Sequence, residues 1–170
     1  MLKISDPVAV SFVAAGAGAG ALVDLRCRRV PNPLTMGLAV IGIVLAFSHV
    51  TRLSGLMALA GLGCGLLLML PGHVIGATGA GDVKLFAALG TLLGPVGILT
   101  AFVYTAIAGG LMAMTVALIR RRLRVTVERA LALVQTGGAN VVDIERPSED
   151  NRFAYAPAIA VGALIAALGF

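Results

Sequence analysis

The chain of 170 residues contains no tryptophan, two cysteines and two histidines, and only 12% of it is charged. Each shortage closes a route. Soluble domains average about 25% charged and about 45–50% apolar residues. A chain that is 59% hydrophobic, with a mean hydropathy of +1.00, cannot be clothed in a water-wetted surface. It is an integral membrane protein. Cys27 and Cys64 stand alone, with no Cys-x-x-Cys spacing, so neither a disulfide framework nor a zinc site is expected. His49 and His73 are isolated from other ligating or nucleophilic groups. No metal and no cofactor is expected: Mg²⁺ would want more oxygen ligands than the chain offers. The net charge of +5 and pI near 10.0 would suggest nucleic acid in a soluble protein. Here the arginines flank apolar segments, so the charge reads as membrane orientation and nucleic acid is not an expected partner.

What the chain has in abundance is apolar runs, at about 7–23, 34–48, 54–70, 83–93, 96–119 and 154–170. Lipid offers the backbone no hydrogen-bond partners, so such runs form helices. At about 20 residues per crossing, the length accommodates an all-α, polytopic membrane protein with about six transmembrane helices. One integral-membrane domain over 1–170 is expected, with a cytoplasmic loop at about 120–152. The first run leads straight into further spans and carries only Lys3 beside Asp6, which favours a retained helix over a cleaved signal. The fourth run covers only about 16 Å of a core roughly 30 Å thick. Either it begins below the membrane surface, or it forms a broken element with Gly94-Pro95. Gly16, Gly18, Gly20, Gly61 and Gly65 suit close helix packing.

The basic residues orient this frame. Arg26, Arg28 and Arg29 follow run one, Lys84 opens run four, and Arg120, Arg121, Arg122, Arg124, Arg129, Arg146 and Arg152 follow run five. With six spans these 11 of 13 basic residues share one side, against Lys3 and Arg52 opposite. The positive-inside rule makes that side cytoplasmic and both termini external. Segment 120–135 reads either as an interfacial amphipathic helix or as an extension of the fifth helix.

Acid is scarce and unevenly placed. Of eight acidic residues, Asp143, Glu145, Glu149 and Asp150 fall in one polar loop, Asp6 lies near the N-terminus and Glu128 in a basic stretch. That leaves Asp24 and Asp82, both bordering apolar runs. A carboxylate kept beside hydrocarbon is a functional-site hypothesis by default. Two runs separate them, so parity returns both to the cytoplasmic side. Asp82 follows Gly79-Ala80-Gly81, where glycine permits a sharp turn, and a helix start stabilises its charge. It serves either as a plain N-cap or as one member of a pair; Asp24 is either a helix-end partner of Arg26 or Arg28 or the other member. Like charges held close cannot both ionise, so a carboxylate pair supplies an acid and a base in one site. A proton-coupled transporter or channel subunit using Asp24 and Asp82 as proton carriers is the alternative. Pro31 fixes the first loop, and Asn32 either bonds locally or touches substrate. Lys84 either tunes the pair or snorkels to the interface.

Asp24-Leu25-Arg26-Cys27-Arg28-Arg29-Val30-Pro31-Asn32 resembles the first signature of the type IV prepilin peptidases. Gly79-Ala80-Gly81-Asp82-Val83-Lys84 resembles their Gly-x-Gly-Asp signature, shared with other intramembrane aspartyl proteases, and Tyr155-Ala156-Pro157 resembles a weaker family feature. The resemblance implies an aspartic endopeptidase of the bacterial inner (plasma) membrane, multi-pass, with Asp24 and Asp82 as its catalytic pair. It would cleave the leader of a prepilin or pseudopilin, a substrate with a membrane-inserted N-terminal helix, at the cytoplasmic face. The larger bifunctional members carry a cysteine tetrad and methylate the new N-terminus; without the tetrad, no N-methyltransferase activity is expected. The small size resembles the peptidases of tight-adherence (Flp) pilus systems.

The parity argument makes a topological prediction. In a cysteine-free background, cysteines placed at positions 29 and 122 are labelled by an impermeant maleimide from the same side of the membrane. Labelling from opposite sides breaks the pairing of Asp24 with Asp82.

Overall fold

The computed structural model of the chain describes residues 6–74, 78–119 and 155–169. All regular structure among them is helical: α1 (Pro7–Cys27), α2 (Asn32–Phe47), α3 (Gly55–Val74), α4 (Ala80–Ile119) and α5 (Ala156–Ala167). The expected segment 120–135, the loop that follows it to 152 and its arginines lie outside the described residues.

The helix ends follow local chemistry. Asp6 caps α1, its Oδ1 accepting the amides of Val8 at 3.0 Å and Ala9 at 3.5 Å, and Pro7 fills a first-turn position that needs no donor. α1 ends where Arg28 turns left-handed (φ 51°) and donates its amide to the Asp24 carbonyl at 2.7 Å. It thus runs past the expected apolar segment and takes Asp24 into its last turn. α2 starts from the extended Pro31.

α4 is a hairpin. Gly94 adopts φ 70° and ψ 179°, which breaks the helix into limbs 80–93 and 95–119, with Pro95 opening the second. The rings of Phe86 and Phe102 meet edge to face at 6.2 Å; a straight helix would hold them roughly 24 Å apart. Of the two expectations for the fourth run, the broken element is the one found.

The first limb is the axis of the molecule. Val83, Leu85, Phe86, Ala88, Leu89 and Leu92 are all buried, on every face of it. α3 packs most extensively against α4, and α5 next. A Cβ on Gly61 would strike the carbonyl oxygen of Gly90, and the reverse, so these two helices touch backbone to backbone. Gly16, Gly20 and Gly65 also sit under neighbours, as expected; Gly18 does not, and faces open space.

Outward, the surface is apolar: Leu56 and Leu67 on α3 and Val103, Ile107 and Leu111 on α4 are exposed. A membrane accounts for that surface; water would not tolerate it. The segments Pro7–Cys27, Gly55–Val74 and Ala80–Val116 are long and apolar enough to cross. α2 and α5 are shorter apolar helices. Among the described residues, three candidate spans therefore stand where about six were expected. The difference arises because two expected spans are joined in the α4 hairpin and because α2 and α5, with 16 and 12 residues, fall below crossing length.

One end of the bundle is closed by Asp6, whose Oδ2 accepts the Arg52 amide at 2.8 Å, beside the α4 break, where Leu53 lies against Gly94. The Arg52 amide holds the Asp6 carboxyl below its ordinary value, helped by the amides of Val8 and Ala9 and by the Arg52 charge. Because the folded-state value is depressed, this stabilisation is complete above the unfolded value and is lost as pH falls through the folded one. Asp6→Ala is expected to lower stability at neutral pH by about 1 kcal/mol, the usual worth of a cap. In thermal unfolding in detergent, the gap between wild type and variant closes as acid protonates Asp6.

Candidate active site

Opposite Asp6, three separated stretches of chain converge: the last turn of α1 with the connection 28–31 that follows it, the first turn of α4 and the start of α5. Asp24 and Asp82 are buried here, at 5% and 8% exposure. Each is placed by a backbone amide. The Gly79 carbonyl accepts the amides of Asp82 at 3.0 Å and Val83 at 3.2 Å, which makes Gly79 the N-cap of α4. The side-chain oxygen Oδ2 of Asp82 turns back toward Gly79. Asp82 is therefore the third residue of the helix rather than its cap. Gly79 has little room to be anything else, since a Cβ there would stand 3.1 Å from Asp82 Oδ2.

Asp24 is held from the far end of the sequence. Its Oδ2 accepts the amide of Ala156 at 3.2 Å. That amide belongs to the first residue of α5, where helical geometry leaves a donor without an intrahelical partner. Asp24 and Asp82 are close enough for the charge of one to act on the other. An ionised carboxylate offers about four lone-pair sites, so the Ala156 amide on Asp24 leaves capacity for water or a further ligand. One ionised and one protonated carboxylate side by side constitute a general base and a general acid.

The first loop is docked on α4 by two contacts. A Cβ on Gly81 would meet the Val30 Cβ and carbonyl oxygen at 3.2 Å and its nitrogen at 3.3 Å, so only glycine lets the loop lie this close. Lys84 Nζ then donates to Asn32 Oδ1 at 2.9 Å. This corrects the expectation of a local bond for Asn32, whose side-chain oxygen is used 52 residues away. Lys84 itself is exposed. Pro31, extended at φ −70° and ψ 140°, carries the chain from this contact into α2.

Tyr155 was visible in the sequence only as part of a weak resemblance. Its half-buried ring packs over Gly109, where a Cβ would come within 2.7 Å of Cε2. Burial, and after it the charge of Asp82, raise its phenol above the ordinary value. The Ala156 amide has no sequence signal at all, because every non-proline residue carries one. A cleft of about 430 Å³ lined by Val23, Cys27, Arg29, Val30, Pro31 and Asn32 opens at the end of α1 and along the loop that follows it. Among the described residues no three His, Cys, Asp or Glu side chains gather as a metal site. His73 Nδ1 lies 3.0 Å from the Thr78 carbonyl, just ahead of Gly79, while His49 sits in the α2–α3 connection at the other end.

Compared with known proteins, residues 11–114 match the type IV leader peptidase family, a stretch that includes both aspartates. No curated protein and no solved structure matches the chain.

The contact between Gly81 and Val30 predicts the cost of filling it. Gly81→Val should push the first loop off α4 and destabilise the protein by about 1–3 kcal/mol, the usual range for overpacking. Thermal unfolding checks the loss; faster proteolysis between residues 28 and 31 checks that the loop is what moves.

Proposed function

Because this chain belongs to the type IV leader peptidase family, we propose that it is an aspartic endopeptidase in which Asp24 and Asp82 together activate water. The observation that carries this reading is the burial of both carboxylates at one end of the bundle, within range of each other's charge. The ionised member takes a proton from a water molecule, whose oxygen attacks the scissile carbonyl. The protonated member polarises that carbonyl and stabilises the charge developing on it. Collapse of the tetrahedral intermediate breaks the C–N bond, and the proton held by the base passes to the leaving amine.

The supporting residues set geometry. Gly79, whose carbonyl accepts the Asp82 amide, starts the helix that carries Asp82, and Ala156 orients Asp24. Gly81, Pro31, Asn32 and Lys84 hold the loop that walls the cleft against the helix that bears Asp82. The placement of both acids at one end suits hydrolysis at a membrane face better than proton carriage, which favours the midplane.

The substrate is the leader of a type IV prepilin or pseudopilin of the Flp kind, cut at the cytoplasmic face of the bacterial inner membrane. In this reading α1, α3 and α4 enter that membrane as the candidate spans, with the shorter apolar helices α2 and α5 packed against α4. The arginine-rich ends lie inside, as the positive-inside rule requires.

Asp24→Asn and Asp82→Asn each keep shape and remove the ionisable group. Each variant should insert normally and lose at least about 100-fold of its cleavage rate, the low end of what general acid–base catalysis contributes. Co-expression with prepilins, read as a gel shift on processing, checks it; full processing by either variant excludes the dyad.

A further inference from the structure

Tyr155 holds a polar group against the site and gives it no partner. Its backbone is fixed at the start of α5, where its carbonyl accepts the amides of Ala158 at 3.0 Å and Ile159 at 3.2 Å. The next residue, Ala156, gives its amide to Asp24. The ring is fixed as well. A Cβ on Gly109 would stand 2.7 Å from Cε2 and 3.1 Å from the hydroxyl oxygen, so only glycine leaves room for the phenol. Among the described residues, none forms a hydrogen bond with that hydroxyl. A buried phenol ordinarily finds a partner.

The α4 hairpin sets the height of that hydroxyl. Phe86 and Phe102 lie eight residues before and eight after Gly94, and their rings meet, so the two limbs run in register about the break. Asp82 stands twelve residues before Gly94, roughly 18 Å along the first limb. Gly109 stands fifteen after it, roughly 22 Å along the second. The two lie within one helical turn of the same level, at the open end of the hairpin. The phenol over Gly109 is thus brought level with the carboxylate, and the Asp82 charge acts on it. Burial and that charge keep the phenol protonated, so it meets an ionised carboxylate as a donor. Asp24 takes a hydrogen bond from another helix, at Ala156; among the described residues no other helix gives one to Asp82.

We propose that Tyr155 is a positioning residue for Asp82, its hydroxyl donating to the Asp82 carboxylate directly or through one water molecule, as the Ala156 amide does for Asp24. The inference rests on the peptidase reading and adds a third side chain to the pair. That side chain lies beyond residues 11–114, the stretch that matches the family. Two consecutive residues then serve both acids, Ala156 with its amide and Tyr155 with its hydroxyl. A hydrogen bond to the charged form of a carboxylate favours that form. Since the two acids titrate as a pair, the donor lowers the pH at which the pair gives up its first proton. The other titratable and charged groups at this end are Asp24 and Cys27 of α1, the arginines around Cys27, His73 of α3 and Lys84 of α4. Of these, His73 is engaged with the Thr78 carbonyl and Lys84 with Asn32.

Tyr155→Phe tests this, since it keeps the ring over Gly109 and removes the hydroxyl alone. Cleavage of a type IV prepilin in phosphatidylethanolamine–phosphatidylglycerol vesicles is followed across the pH range in which carboxylates titrate. Without the donor the charged form is less favoured, so the acid limb of the profile should move up by about 0.5–1 pH unit. Below that limb kcat should fall about three- to tenfold, the same shift read as a rate. KM and the thermal midpoint should match wild type. Tyr104→Phe, which removes the other tyrosine hydroxyl, should keep the wild-type profile. That variant also leaves Tyr155 as the sole tyrosine, so phenolate absorbance reports on it without reference to catalysis. Adding Asp82→Asn should let the phenol ionise at lower pH, because the neighbouring charge is gone. An acid limb unmoved by Tyr155→Phe, or a phenol titration unmoved by Asp82→Asn, overturns the role of Tyr155 and leaves the peptidase standing. A wild type that cleaves no prepilin overturns the peptidase reading, and this inference with it.

Discussion

The close approach of other helices to the first limb of α4 is the constraint on which the structure rests. Within hydrocarbon no hydrophobic effect draws helices together, so contact area and close backbone approach must do so. Gly61 against Gly90 sets α3 on the limb, Gly20 under Leu85 sets α1, and Gly42 beneath Thr91 sets α2. Phe86 against Phe102 sets the returning limb. Thr91, which this packing drives into the core, satisfies itself by donating to the Ala88 carbonyl at 2.7 Å. Since the same limb bears Asp82, every helix that leans on it also helps to place that carboxylate.

Against this apolar frame, the two buried carboxylates are the expensive feature. Removing a charge from water without partners is costly, and the fold gives Asp24 a backbone amide at the start of α5 and sets Asp82 in the first turn of α4. Such donors are fixed by helix geometry and lose no side-chain freedom. They hold the carboxylates without neutralising them as a lysine or arginine would. Lys84, two residues after Asp82, is turned outward to Asn32, where it fastens a loop.

Most of the frame was legible because apolar runs in a membrane protein have only one local structure available to them. The six runs correspond to α1, α2, α3, the two limbs of α4, and α5, with ends shifted by a few residues. The aspartates were legible by elimination, since the remaining acids lay in polar stretches, and family resemblance strengthened that. What was not legible was non-local. Composition cannot say whether Gly94 divides two spans or folds one helix back on itself; its contact with Leu53 and the meeting of Phe86 with Phe102 decide that. The bonds from Asp6 to Arg52, from Lys84 to Asn32 and from Ala156 to Asp24 join residues that no periodicity relates. The last is a backbone donor, invisible in any residue alphabet.

The bond between Ala156 and Asp24 joins the first helix to the last across 132 positions. A ribosome makes these partners in that order, so α1 is synthesised long before its carboxylate can be seated. Until α5 arrives, Asp24 lacks the amide that orients it, and the ring of Tyr155 has not yet packed over Gly109. The site is therefore completed last, by the final helix described. A partly made chain holds both acids without the contact that seats Asp24, which postpones the final placement of that carboxylate until synthesis has passed the start of α5.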